Sequence, residues 1–378
     1  MPLDYETLRV IWWVLIGILL IGFAVFDGFD LGVAMWLPWI AKTDMDRRVL
    51  INSIAPTWEG NQVWFILGGG AIFAAWPALY AVSFSGFYLA MLLILLALIL
   101  RPVGFKYRSK VSNPHWRTFW DYALFVGGFV PALIFGVAVG NVLQGVPFHF
   151  DDHLRPFYTG SFIDLLNPFA LLCGLLSVFM LAMHGACFLN VKTEKHLQHR
   201  ALKAGKISAL LTLFVFIGAG FWLHYGIDGY ALSSVVPHDG PSNPLYKTAV
   251  AQADAWFTNY RNFPITLFAP SIGIVGALFA LLFTRCAKLA FVGSALSVMG
   301  IIATVGVSMF PFILPSSSNP GQSLTVWDSS SSQLTLFIML VVIAIFLPIV
   351  VGYTAWVYRV LRGKVTEETI IKNHETAY

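Results

Sequence analysis

The chain has 378 residues, of which 58% are hydrophobic, 15% aromatic and 11% charged, with a mean hydropathy of +0.75 and a formal net charge of +4. Soluble domains carry about a quarter charged residues, so a water-soluble globular enzyme is excluded, and so small a positive excess calls for no nucleic-acid partner. Continuous apolar runs of about twenty residues, rather than alternating ten-residue segments, select helices over a barrel, which makes this an all-α polytopic integral membrane protein.

In chain order the apolar segments run over Val10–Ala41, Asn52–Trp76, Leu79–Leu100, Phe119–Val142, Ile163–Asn190, Ile207–Tyr225, Pro264–Thr284, Leu289–Pro311 and Leu334–Val357. The first is too long for the apolar core of a cleavable leader, no small-residue cleavage site is evident and Arg9 is the one basic residue before it, so no removable signal is expected. The second is the weakest, because TWEGNQ interrupts it. Basic residues settle the count, since short cytoplasmic loops collect Lys and Arg. They gather at Lys42, Arg47 and Arg48, at Arg101 to Arg117, at Lys192 to Lys206, at Arg285 and Lys288, and from Arg359 to Lys372, which together hold 19 of the 23 basic residues. Nine spans with the N-terminus periplasmic and the C-terminus cytoplasmic put all five groups on one side; eight spans would misplace the first group. The remaining connections, 144–162, 226–263 and 312–333, are rich in Gly, Pro, Ser and aromatics and suit turns and short caps over a bundle. The expected organisation is a single membrane domain over 1–378, with halves at 1–143 (helices 1–4) and 163–360 (helices 5–9) and a cytoplasmic tail at 361–378.

The first segment carries VFDGFDLG, residues 25–32, toward its end. At ~1.5 Å per residue the chain reaches Asp27 after roughly 25 Å and Asp30 after about 30 Å, at the inner edge of a ~30 Å hydrocarbon core. Residues i and i+3 share a helix face, so both carboxylates can turn into the bundle. Glu59 enters the second segment about 10 Å from the inner side, with Trp58, Asn61 and Gln62 around it, and Arg101 closes the third segment on the same side. Four ionisable groups from three segments are therefore expected to converge. Charges at membrane depth are expensive; Arg101 would hold one carboxylate ionised. This pattern supports either a proton path from the cytoplasm or helix-end ion pairing alone.

No redox centre is visible. There is no CxxCH, Walker loop or GxGxxG. His184 and His224 fall at opposite ends of the membrane and are poor ligands for one haem; each is expected to be a hydrogen-bonded interior residue. Asp228, between Gly226 and Gly229, suits a turn or cap. Cys173, Cys187 and Cys286 form no CxxC pair and are expected to be small buried hydrophobes, without a disulfide or zinc.

DGFDLG, WEGNQVW and RPVGF, followed by GNVLQGVPF, YTGSFIDLLNPFALLCGLLS, GIDGYAL, MFPFILPSS and SLTVWDSSSSQLTL, occur in one order from Tyr5 onward. In this the chain resembles subunit II of cytochrome bd-type quinol oxidases, and the long GIDGY and PSS…WD…SSQLTL segments resemble the longer proteobacterial form. The resemblance implies nine helices as two four-helix bundles plus one peripheral helix, in the bacterial inner membrane. It implies a complex that oxidises quinol (ubiquinol) at the outer face and reduces dioxygen to water with cytoplasmic protons, building proton-motive force. The haems b558, b595 and d would sit on the partner, subunit I, and none on this chain; small single-helix accessory subunits can join. By the same resemblance Asp30, Glu59 and Arg101, with Asp27 beside them, belong to a proton route, and a quinone or lipid could lie beside Trp58. Some members have Asp at the position of Glu59, and the extra methylene here lengthens its reach.

Two other readings are a purely structural subunit without a proton role and a proton-coupled secondary transporter. A transporter would show broken helices in both halves of an internal repeat, whereas the Gly-rich stretch Leu67–Ala71 has no clear mate. The resemblance decides against the transporter and leaves proton path and scaffold both open.

Overall fold

The computed structural model describes residues 2–372. The helices are α1 Tyr5–Ile40, α2 Asp44–Ile54, α3 Trp58–Ala75, α4 Pro77–Gly86, α5 Tyr88–Tyr107, α6 Pro114–Gln144, α7 Pro168–Lys192, α8 Lys195–Gly226, α9 Thr258–Asn262, α10 Phe268–Leu282, α11 Ala287–Met309, α12 Gln333–Val360 and α13 Glu367–Lys372. Their starts follow local chemistry. Asp4, Asn113, Asn167 and Ser332 accept hydrogen bonds from the first turns of α1, α6, α7 and α12, and Pro opens α4, α6 and α7, where a missing N–H costs nothing. Thr43 and Asp46 form a reciprocal capping box on α2.

Among the described residues eight helices are long and apolar enough to cross a membrane: α1, α5, α6, α7, α8, α10, α11 and α12, with α5 and α10 lengthened by adjoining 3-10 turns. The α3 helix has 18 residues, but its WEGNQ start lowers its hydropathy below theirs. The third apolar segment is not one helix: the chain breaks at Phe87, giving α4 and α5. In the fifth segment residues 163–167 are a 3-10 turn and cap, because Asn167-Pro168 starts the helix. The α8 helix begins twelve residues before the apolar run, so most of the basic connection 191–206 is helical.

The α1 helix is the organising element, packed against α3, α6, α7 and α11. Further pairings are α5 with α6, α6 with α7, α7 with α8, α7 with α11, α8 with α10 and α10 with α11. In α7 72% of the membrane-length window is buried, against 6% in α12, which therefore lies on the outside against α1 and α3. Between α1 and α7 the backbones meet at Gly32 and Gly185; a Cβ on Gly32 would run into the Leu181 carbonyl and the Gly185 backbone. Small residues are what allow membrane helices to pack this closely.

The two ends of the bundle differ. One carries three two-stranded antiparallel sheets: β1 Phe148–Phe150 with β2 Pro156–Tyr158, β3 Asp228–Leu232 with β4 Ala249–Ala253, and β5 Phe312–Leu314 with β6 Leu324–Thr325. Asp228, expected in a turn, instead starts β3 opposite Ala253. The fully buried Arg9 stitches this end together. Its guanidinium donates to Ser330 Oγ (2.8 Å), the His238 carbonyl (2.6 Å), the Gly240 carbonyl (2.9 Å) and Ser242 Oγ (3.0 Å), and lies over the Tyr5 ring. Lys247 and Asp328 form a buried ion pair beside it (2.7 Å); burial pulls the lysine below its ordinary range, and Asp328 only partly restores it.

The opposite, basic end is held by ion pairs. Asp121 accepts from Arg108 and from Arg47 (2.7 Å), and Asp44 from Arg108 (2.9 Å) and Arg117 (2.8 Å). Asp46 accepts from His196 (2.7 Å) and from Arg200 (3.3 Å). Burial alone would raise the Asp46 carboxyl, but hydrogen bonds from His196 and from the Lys42 and Thr43 backbone N–H groups, with the charge of His196, hold it below the usual carboxylate range. The segment after α12 folds back, with Val365 N–H donating to the Lys192 carbonyl and α13 lying against α2.

Candidate proton-transfer site

The DGFD spacing places Asp27 and Asp30 on the buried face of α1, and neither is exposed at all. Arg101, fully buried near the end of α5, meets Asp27 with two hydrogen bonds, Nη2 to Oδ1 at 2.7 Å and Nη1 to Oδ2 at 3.0 Å. Such a fork-to-carboxylate pair is the strongest arrangement these groups have. It is also the one a dry site demands, because each ion carries a desolvation penalty of several kcal/mol. The carboxylate that Arg101 holds is thus Asp27. Asp30 has an uncharged partner: Asn61 Nδ2 donates to its Oδ2 at 2.7 Å. Asp30 Oδ1 and Arg101 Nε are buried with no hydrogen-bond partner among the described residues.

The polar chain continues. The Tyr358 hydroxyl, from α12, donates to Asn61 Oδ1 at 2.7 Å. Trp58 is buried, stands 6.0 Å from the Arg101 guanidinium and packs on Phe105, so it walls the Arg101 side of the cluster. Side chains of α1, α3, α5 and α12 thus form one cluster, in which Asp30 Oδ1 is unused among the described residues.

Of the four ionisable groups expected to meet, the structure joins three. Glu59 is exposed on the first turn of α3 and makes no ion pair among the described residues. The cause is helical periodicity: two residues span about 200° of a helix, so with Asn61 facing Asp30, Glu59 faces outward. Its place in the first turn of a helix does suit a negative charge. Asn61 was legible as part of a polar pocket. Tyr358 was not, lying 297 residues further along the chain in a run that reads as lipid-facing.

The other titratable groups have settled roles. His184 is fully buried, with Nδ1 2.8 Å from Ser294 Oγ and Nε2 2.9 Å from the Val25 carbonyl, and stacks on Phe291. His224 meets Asp254 at 2.7 Å. Cys173 and Cys187 are buried as expected, whereas Cys286 is exposed. Among the described residues one group, Asp46, His196 and Glu367, brings three ligand-type atoms within 4.8 Å. Asp46 already accepts from His196, Arg200 and two backbone N–H groups, so it is committed to pinning α2 to α8.

The fold and site define a polytopic helical membrane protein built around a buried carboxylate–guanidinium cluster. Residues 8–361 match the family described as cytochrome bd terminal oxidase subunit II, and the chain belongs to that family. A "Probable cytochrome oxidase subunit 2" of Haemophilus influenzae is 52% identical over 378 residues, all of both chains. The "Cytochrome bd-I ubiquinol oxidase subunit 2" of Escherichia coli K12 is 51% identical over the same full length. Among solved structures, a chain of the bd oxidase from Geobacillus thermodenitrificans superposes with a TM-score of 0.69, covering 94% of this chain and 99% of that one at 16% identity, which shows a shared fold.

Proposed function

We propose that this chain, as subunit II of a cytochrome bd-type quinol oxidase, supplies scaffold and a cytoplasmic proton route to a haem-bearing subunit I. The complex would oxidise ubiquinol and reduce dioxygen to water. The reduction consumes four protons for each dioxygen, and drawing them from the cytoplasm builds proton-motive force without a pump. Haems b558, b595 and d would reside on subunit I. The observation that carries the proton reading is Asp30: a fully buried carboxylate with one oxygen held by Asn61, the other unpartnered, beside an Arg101 already taken by Asp27. Asp30 would take up and release the proton, Asp27 and Arg101 would fix the local charge, and Glu59, on the outer face of α3, would meet the proton route at the surface shared with subunit I.

In this reading α3 is the ninth span, α12 the peripheral helix, and the two bundles are the α1, α3, α4–α5 and α6 group and the α7, α8, α10 and α11 group. The basic end is cytoplasmic and the sheet end periplasmic, in the bacterial inner membrane; small accessory helices and a quinone or lipid near Trp58 belong to the same reading. Asp30→Asn in the assembled complex tests the proton role. Oxygen reduction should slow while haem content stays intact; unchanged turnover would leave only scaffolding, the role that the Asp27–Arg101 pair by itself would serve.

A further inference from the structure

At the basic end, a cavity of about 370 Å³ opens between α2, α7, α12 and α13. Its walls include Ser53, Thr57, Lys192, Tyr358 and Thr369, with Phe188 and Ile370 as apolar lining. It lies outside the Asp27–Arg101 cluster, yet one of its wall residues is the far end of the chain that reaches Asp30. Tyr358 borders the cavity and donates to Asn61 Oδ1, while Asn61 Nδ2 donates to Asp30 Oδ2, both at 2.7 Å. The tyrosine hydroxyl and the Asp30 carboxylate thus stand on either side of a single amide group. Thr57 lies beside the phenol, and the cavity lining joins it to the basic surface through Lys192, whose Nζ donates to the Leu361 carbonyl.

We infer that this cavity is the mouth through which protons reach Asp30, and that Tyr358 is the residue that passes them inward; the inference rests on the proton role proposed for Asp30. An amide is a poor carrier of protons, so Asn61 serves as a spacer. A proton borne by cavity water joins the phenol oxygen as the phenol's own proton leaves for Asp30 Oδ2. Asn61 swings aside for the transfer and returns, gaining and losing none. The cavity gives up one positive charge, the Asp30 carboxylate is neutralised, and Tyr358 is unchanged. Entry at Oδ2 and a half-turn of the protonated carboxyl about its Cβ–Cγ bond bring the proton to the position now held by Oδ1, which has no hydrogen-bond partner among the described residues, and from there the proton departs. The charged groups facing this route are Asp27 on α1, Arg101 on α5 and Lys192 at the end of α7.

The test uses the complete oxidase in membranes. Thr369→Cys, on the cavity wall and outside the hydrogen-bonded chain to Asp30, is derivatised with a bulky maleimide, with the parent complex treated alike because Cys286 is exposed. Derivatised Thr369→Cys should lose turnover several-fold relative to the treated parent at equal haem content. Tyr358→Phe keeps the ring and removes the hydroxyl; it should slow oxygen reduction with a deficit that widens as the pH rises and protons become scarce at the mouth. A purely structural defect would scale turnover equally at every pH, and that result would overturn the role of Tyr358. If Asp30→Asn slows turnover while the derivatised Thr369→Cys enzyme matches the parent, protons enter elsewhere and this inference alone fails. If Asp30→Asn has no effect, the proton role of the whole site fails with it.

Discussion

Arg101 and Asp27 share two hydrogen bonds, of 2.7 and 3.0 Å, in a place where neither side chain has any exposed surface. Removing one member of such a pair leaves an uncompensated charge, whereas removing both can be nearly neutral. Arg101→Met or Asp27→Leu alone should destabilise the subunit by about 3–5 kcal/mol, and the double variant should recover most of that. A double-mutant cycle on thermal unfolding of the detergent-solubilised complex reads this directly; additive losses would show that the two residues do not depend on each other.

The close approach of α1 and α7 at Gly32 predicts intolerance of any larger residue. Gly32→Val would drive a branched side chain into the Leu181 carbonyl and the Gly185 backbone, and overpacking of this kind costs about 1–3 kcal/mol. The expected outcome is a lower melting temperature and less assembled complex. Gly17, which has open space around it, should accept Ala with little change and serves as the control.

Asp46 predicts a pH dependence. Its folded carboxyl sits below the usual carboxylate range, chiefly because His196 and two backbone N–H groups bond the ionised form strongly enough to overcome burial. A lowered folded value means that the unfolded chain binds the proton first, so the stabilisation is present above the ordinary carboxylate range and is lost as the pH falls through the folded value. Melting temperatures of parent and Asp46→Asn should therefore differ most near neutrality and converge in acid. A gap that does not narrow in acid would remove the carboxylate from the account.

Arg9 predicts local failure of the sheet end. Arg9→Ala should leave 233–243 poorly anchored and raise its proteolysis in intact spheroplasts or proteoliposomes. Arg9→Lys should rescue little, because a single ammonium cannot reproduce a planar fork serving Ser330, His238, Gly240 and Ser242 at once.

Much of the fold was legible because lipid imposes simple rules. Apolar length placed eight of the nine expected spans near helices of crossing length, and i,i+3 spacing put Asp27 and Asp30 on one face. Arg101, closing the third segment, meets one of the two carboxylates as its position suggested. The failures have equally local causes. Glu59 and Asn61 are two residues apart, and no pattern within WEGNQ says which of them faces inward; packing against α1 decides it. The break at Phe87 follows Ser83, Ser85 and Gly86, a short small-residue stretch that membrane helices also tolerate. Tyr358 sits in a helix whose membrane window is 6% buried, so nothing nearby marks its one inward hydroxyl. The sheet end depends on contacts between the start of α1 and loops more than two hundred residues further along the chain, which composition does not encode.

Arg9 belongs to the first helix to be made, yet its partner Ser330 lies 321 residues later, just ahead of the last long helix. The His238, Gly240 and Ser242 acceptors are made earlier, so the guanidinium finds the last of its four acceptors only when synthesis is nearly complete. Closure of this end therefore waits for a late stage of synthesis, and a nascent chain stalled before Ser330 leaves Arg9 one acceptor short, a mark that distinguishes the unfinished subunit from the finished one.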